Sequence, residues 1–138
     1  MNQTAPAALP TVTGRLRELS EDKLVLDIPH TDYRLHLVPS GTIEVELGDK
    51  LTGRIYCQVK RVDPIRSGGR FIEPNFGRPR RGQGRIVGGD PQTNRLYVHC
   101  GAGPVIATLM ASQQASDFAI GQMVLFDVER GAVFEPAE

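Results

Sequence analysis

Lys50-Leu51-Thr52-Gly53-Arg54-Ile55-Tyr56-Cys57-Gln58-Val59-Lys60-Arg61-Val62 is the stretch from which the fold is read. Ile55, Cys57 and Val59 fall on one side of an extended chain, and Arg54, Tyr56, Gln58 and Lys60 fall on the other. That period of two is what a half-buried strand requires. Upstream, residues 23–28 alternate in the same way, with Leu24, Leu26 and Ile28 opposite Lys23, Val25 and Asp27. Residues 11–19, 33–38 and a short 43–46 supply further strands between clusters of turn formers. Helical periodicity is nearly absent.

Downstream the order recurs, with strands expected at 84–87, 94–99, 104–110 and 122–128, a closing strand near 133–135, and a short helix possible over 112–118. Setting Gly14-Arg15-Leu16 on Gly84-Arg85-Ile86 brings Leu24 onto Leu96, Leu37 onto Leu109, Ser40 onto Ser112, Gly48 onto Gly121 and Pro64 onto Pro136. The expectation is an all-β fold of two tandem small five-stranded barrels related by an internal repeat. Residues 1–10 are expected as a flexible tail, 11–63 as the first barrel, 64–83 as a basic Gly/Pro/Arg-rich connector, and 84–138 as the second barrel.

A strand opening Gly14-Arg15-Leu16, two strands joined by short turns, and a Gly48-Asp49 step before the closing strand resemble the oligonucleotide/oligosaccharide-binding fold and its small-barrel relatives. In the second half the step is Gly121-Gln122. Through strand order and turns the resemblance covers about four fifths of the chain. It implies a module that binds single-stranded nucleic acid, in which aromatic rings stack on bases and cations track phosphates. With no tryptophan, three tyrosines and five phenylalanines, stacking capacity is modest.

The formal net charge is zero, but the charges are unevenly placed. Residues 60–85 carry one lysine and seven arginines against Asp63 and Glu73, a net +6, whereas in 101–138 Arg130 faces five carboxylates, a net −4. A basic middle is a candidate site for phosphates or acidic surfaces. Arg66, Arg70, Arg78, Arg80 and Arg81 are expected to hold a phosphate backbone while Phe71 and Phe76 stack on bases. Phe71-Ile72 and Phe76 are too apolar for a simple spacer, so they either pack on a barrel or present rings to a ligand. Arg54, Tyr56 and Lys60 in the first half, and Arg85, Arg95, Tyr97 and His99 in the second, extend the candidate surface into a conceivable continuous groove. The competing expectation is that these arginines pair with the acidic C-terminal segment of the same chain. The alternative function is a protein-interaction or self-assembly module, using sheet edges and the basic middle of one copy against the acidic end of an acidic partner or a second copy.

Other chemistries find little footing. Cys57 and Cys100 lack Cys-x-x-Cys spacing and no histidine has a helical i, i+4 mate, so no metal site is expected and free thiols are. Gly101-Ala102-Gly103 lacks the lysine and helix of a phosphate-cradling loop and reads as a tight hairpin turn, with a small bound anion as the lesser possibility. Neither a catalytic residue nor a cofactor is assigned. No apolar run approaches the roughly 18 to 20 residues that span a bilayer, and the first ten residues lack a signal-peptide pattern. A cytoplasmic protein without membrane association is expected.

Overall fold

The structure, a computed structural model, describes residues 9–137, so most of the expected tail lies outside the described residues. Its strands are β1 (Val12–Leu19), β2 (Leu24–Asp27), β3 (Arg34–Pro39), β4 (Lys50–Ile65), β5 (Phe71–Glu73), β6 (Phe76–Gly77), β7 (Arg81–Asp90), β8 (Arg95–His99), β9 (Pro104–Thr108), β10 (Met123–Val128) and β11 (Val133–Pro136). The chain is all-β as expected, and the strands join in one sheet. The expected helix is a single 3-10 turn at Ala115–Asp117.

The sheet is organised by β4, which at 16 residues extends for about 50 Å and is longer than most strands. Its alternation over Ile55, Cys57 and Val59 is the one read from sequence, all buried at 1–2% exposure, and a register shift against β10 brings Val62 inward out of phase. The first part of β4 pairs with β1 and β11, while the later part pairs with β9 and β10. Two circuits of pairing result. One runs β1-β2-β3-β11-β4 and back to β1; the other runs β7-β8-β9-β4-β10 and back to β7. Each circuit has one parallel contact, β3 with β11 and β9 with β4, and is otherwise antiparallel.

Neither circuit is contiguous in sequence. The last strand of each half completes the circuit of the other, so the expected divisions at 63/64 and 83/84 do not fall between circuits. Half of the connector is likewise strand. β4 continues through Pro64 because its main-chain nitrogen points, like that of Val62, to the side where β9 has already ended. There the Gln113 amide takes the place of a strand, accepting from Val62 N–H at 2.8 Å and donating to Val62 C=O at 2.9 Å. β7 is a central strand between β5 and β10, although glycines 82 and 84 read as turn formers. They are required by close approach: a Cβ on Gly82 would lie 2.7 Å from the Phe126 ring, and one on Gly84 would overlap the His99 carbonyl.

Two smaller expectations are also corrected. Residues 43–46 form no strand; Ile43 and Val45 pack against the core from an irregular loop that meets no partner strand. Leu37 is the partner of Leu24 and Ala107 that of Leu96, so the register sets Leu37 against Ala107 rather than Leu109. Around Gly48 and Gly121, by contrast, the halves share the same hydrogen bonds. Gly48 N–H donates to Leu16 C=O and Gly121 N–H to Ile86 C=O, at 2.7 and 2.8 Å. The Arg15 and Arg85 guanidiniums donate to the carbonyls of those two glycines at 3.0 and 2.7 Å. Both glycines have positive φ, 91° and 93°.

The core is apolar throughout, with no buried polar or charged side chain among the described residues. Phe134 of β11 is fully buried in it, and its ring lies where a Cβ on Gly53 would sit. The C-terminal strand is therefore part of the core. Phe134→Ala is expected to cost about 3–5 kcal/mol, the range for emptying a buried aromatic site, read as a fall in the urea midpoint at unchanged slope.

Candidate functional site

Two short strands share one edge of β3. β6 lies parallel to Arg34 and Leu35, and β11 lies parallel to Val38 and Pro39, so the end of one and the start of the other meet beside His36. The chain leaving β6 carries Arg78 and Arg80, and the chain entering β11 carries Arg130. These segments, with Lys23, His36 and Val38, line an open cleft of about 800 Å³.

The cleft walls are fixed through the backbone. Arg80 N–H donates to Glu73 C=O, and Val128 N–H donates to Arg80 C=O, both at 2.8 Å. Pro79 between the two arginines is buried. Opposite, Glu129 N–H donates to Gln58 C=O and Val38 N–H to Ala132 C=O, again at 2.8 Å. Glu18 and Asp22 also line the cleft. Lys23 Nζ stands 2.7 Å from Glu18, and its hydrogen bond and charge hold the Glu18 carboxyl below its ordinary range. None of the ion pairs among the described residues involves Arg78, Arg80 or Arg130. Arg78 and Arg80, joined by Arg130 from a distant part of the chain, therefore line one opening, and none of the three is in an ion pair among the described residues.

The remaining residues read from sequence are dispersed. Arg81 pairs with Asp127 and Arg54 with Glu135, each at 3.3 Å, as the pairing alternative expects. Arg85 is committed to the Gly121 carbonyl. An Arg70 guanidinium nitrogen lies 3.3 Å from His99 Nδ1, beside the turn at 101–103, which is a hairpin turn closed by Cys100 N–H on Gly103 C=O. Arg66 is exposed, and Lys60 lines a shallow recess with Arg61 and Gln113. Tyr97 is buried at 5% exposure, too little to stack on a ligand. Tyr56 is half-buried, donates its hydroxyl to Glu135 at 2.9 Å, and has the Arg95 guanidinium 5.3 Å from its ring. Phe71 is half-buried, while Phe76 is 56% exposed, with Arg34 4.9 Å from its ring. Phe76 lies beside Arg34, two residues along β3 from the cleft at His36. The continuous groove is thus replaced by one cleft that gathers Arg78 and Arg80, with Phe76 in a separate recess beside Arg34 and Asn75.

Lys23, His36, Arg34 and Arg130 were not singled out from sequence. Arg130 gave no local signal, being the lone cation of an acidic segment, and it reaches the cleft because β11 crosses to β3. Cys57 and Cys100 are buried free thiols. Burial pushes Cys57 up to about 12 and raises Cys100 as well, with the nearby Cys57 adding to the latter. Both stay protonated at neutral pH, which leaves them poor nucleophiles and ligands. Among the described residues no three His, Cys, Asp or Glu side chains are grouped to hold a metal ion, and no helix is long and apolar enough to cross a membrane. No protein-family model matches the chain, and no curated protein matches it in sequence.

Burial raises the phenol pKa of Tyr56, with its bond to Glu135 adding to the shift, and burial raises that of Tyr97, with the Asp90 charge adding. Both neutral phenols are favoured in the folded state, so this stabilisation is present below the ordinary tyrosine pKa near 10 and is lost as pH rises through the raised values. Ultraviolet titration is expected to show late-ionising tyrosines, with Tyr56→Phe and Tyr97→Phe each removing one.

Proposed function

We propose that the chain is a pair of five-stranded barrels of the oligonucleotide-binding type that exchange their fifth strands, and that it binds single-stranded nucleic acid in the cleft of Arg78, Arg80 and Arg130. It acts as a non-enzymatic binding module. The pairing circuits and the matched hydrogen bonds around Gly48 and Gly121 support the barrel reading. Barrels of this type receive ligands on their second and third strands, between the loop after the first strand and the loop before the fifth. The cleft occupies that place, between the β1–β2 turn and the turn entering β11.

The observation that carries the reading is the gathering of Arg78, Arg80 and Arg130 on one cleft, none of them in an ion pair among the described residues, while Glu18 on the same cleft is paired with Lys23. Guanidinium forks match phosphate oxygens in bidentate fashion, and three of them exceed what one small anion needs. Phe76 lies about 7 Å further along β3, two residues at the strand rise, and offers an exposed ring to a base. Assembly through charge complementarity draws less support, because Asp127 and Glu135 of the acidic end are already paired with Arg81 and Arg54.

Fluorescence anisotropy with a labelled oligothymidylate, repeated over a range of salt, tests the proposal. Binding is expected to weaken steeply with salt. The triple change Arg78→Gln, Arg80→Gln, Arg130→Gln should reduce the log–log salt slope by about 2, at roughly 0.7 per lost phosphate contact on a single strand. A charge-matched triple at Lys60, Arg61 and Arg66 should change it little. Affinity indifferent to salt, or equal losses in both triples, would sink the proposal.

A further inference from the structure

Two of the segments that carry the chain from one pairing circuit to the other pass through the cleft. Residues 78–80 lead from β6, on β3, to β7 of the second circuit, and residues 129–132 lead from β10 to β11. We infer that occupancy of the cleft and docking of β11 form one coupled equilibrium: a bound polyanion holds β11 in place, and release of β11 dismantles the cleft. This rests on the proposed function and adds a regulation of the same site.

β11 is four residues long and is paired along β3 and β4. It is reached through Gly131, which is exposed, has a φ of 98° and has nothing within 4 Å of where a Cβ would stand. Arg130 faces Arg78 and Arg80 only when the turn is docked, since the Val38 N–H bond to Ala132 C=O positions it. An anion that bridges Arg130 to Arg78 and Arg80 therefore ties the docked turn to the segment that leaves β6. A ligand that binds the docked form alone must favour it in proportion to 1 + [L]/Kd, and docking must favour the ligand equally.

Gly53 provides an independent handle. A Cβ there would overlap the Phe134 ring and the Glu135 carbonyl, both in β11, while Gly53 itself lies outside the cleft.

The test is amide hydrogen exchange by NMR on the full chain, with and without oligothymidylate, with binding followed by anisotropy in the same samples. Val38, Ser40 and Ala137 report on β11 docking, because their N–H groups donate to Ala132, Phe134 and Thr52 carbonyls. Ile86 and Gly121, bonded to Gln122 and Ile86 carbonyls, report on the second circuit. Expected is slowing confined to the first set, up to about a hundredfold at ligand a hundred times Kd. Slowing of both sets alike, or of neither despite binding, overturns the coupling and leaves the proposed function standing. Absence of binding in the anisotropy overturns that function and the coupling with it. Gly53→Ala, with Ile86 and Gly121 still protected, should bind at least tenfold more weakly with all three arginines present; undiminished affinity there also overturns the coupling.

Discussion

The structure depends on a strand that does not turn. β4 runs for 16 residues without a break, so its later half cannot fold back onto the strands that flank its earlier half. The hydrogen-bonding groups of that later half must be satisfied elsewhere, since unpaired buried main-chain groups are costly. β9 on one side and β10 on the other supply the partners. β10 and β11 then lie in succession along β4, both antiparallel to it, with a turn at 129–132 between them. A single unbroken strand thus commits each half of the chain to complete the other.

This arrangement explains what could be read in the sequence. Alternation marks burial, and burial is local to a strand, so Leu24, Leu26, Ile28, Ile55, Cys57 and Val59 were legible as core positions. Partner choice is not local. Nothing in the pattern of residues 133–136 says that they pair with β3 and β4 rather than with their sequence neighbours, and the tandem division at 63/64 followed from assuming the nearest partner. Glycine was ambiguous for a related reason. At 82 and 84 it permits a ring or a carbonyl to approach closely, which leaves the same mark in sequence as a turn.

The same limit governed the site. The basic middle was visible by counting charges, but a count gives neither neighbours nor direction. Arg81 and Arg54 are held by carboxylates from the last quarter of the chain, and Arg85 by a glycine carbonyl, so their charge is partly spoken for. Arg78 and Arg80 keep theirs, and they gain Arg130 from a segment whose composition is acidic.

Exchange of the last strands and concentration of charge are therefore two aspects of one geometry. Because β6 and β11 divide a single edge of β3 between them, the chain must enter and leave that edge at its middle, beside His36. The segments that cross this edge tuck Pro79 and Ala132 inward and leave their polar side chains at the surface. Here those side chains are arginines, and the apolar interior offers no buried carboxylate to offset them. Glu18 on the same cleft is paired with Lys23, and none of the ion pairs among the described residues takes up the three arginines. A fold closed by a short strand thus gathers three arginines at the point where that strand is attached, Arg130 on the turn entering it and Arg78 and Arg80 on the segment leaving β6.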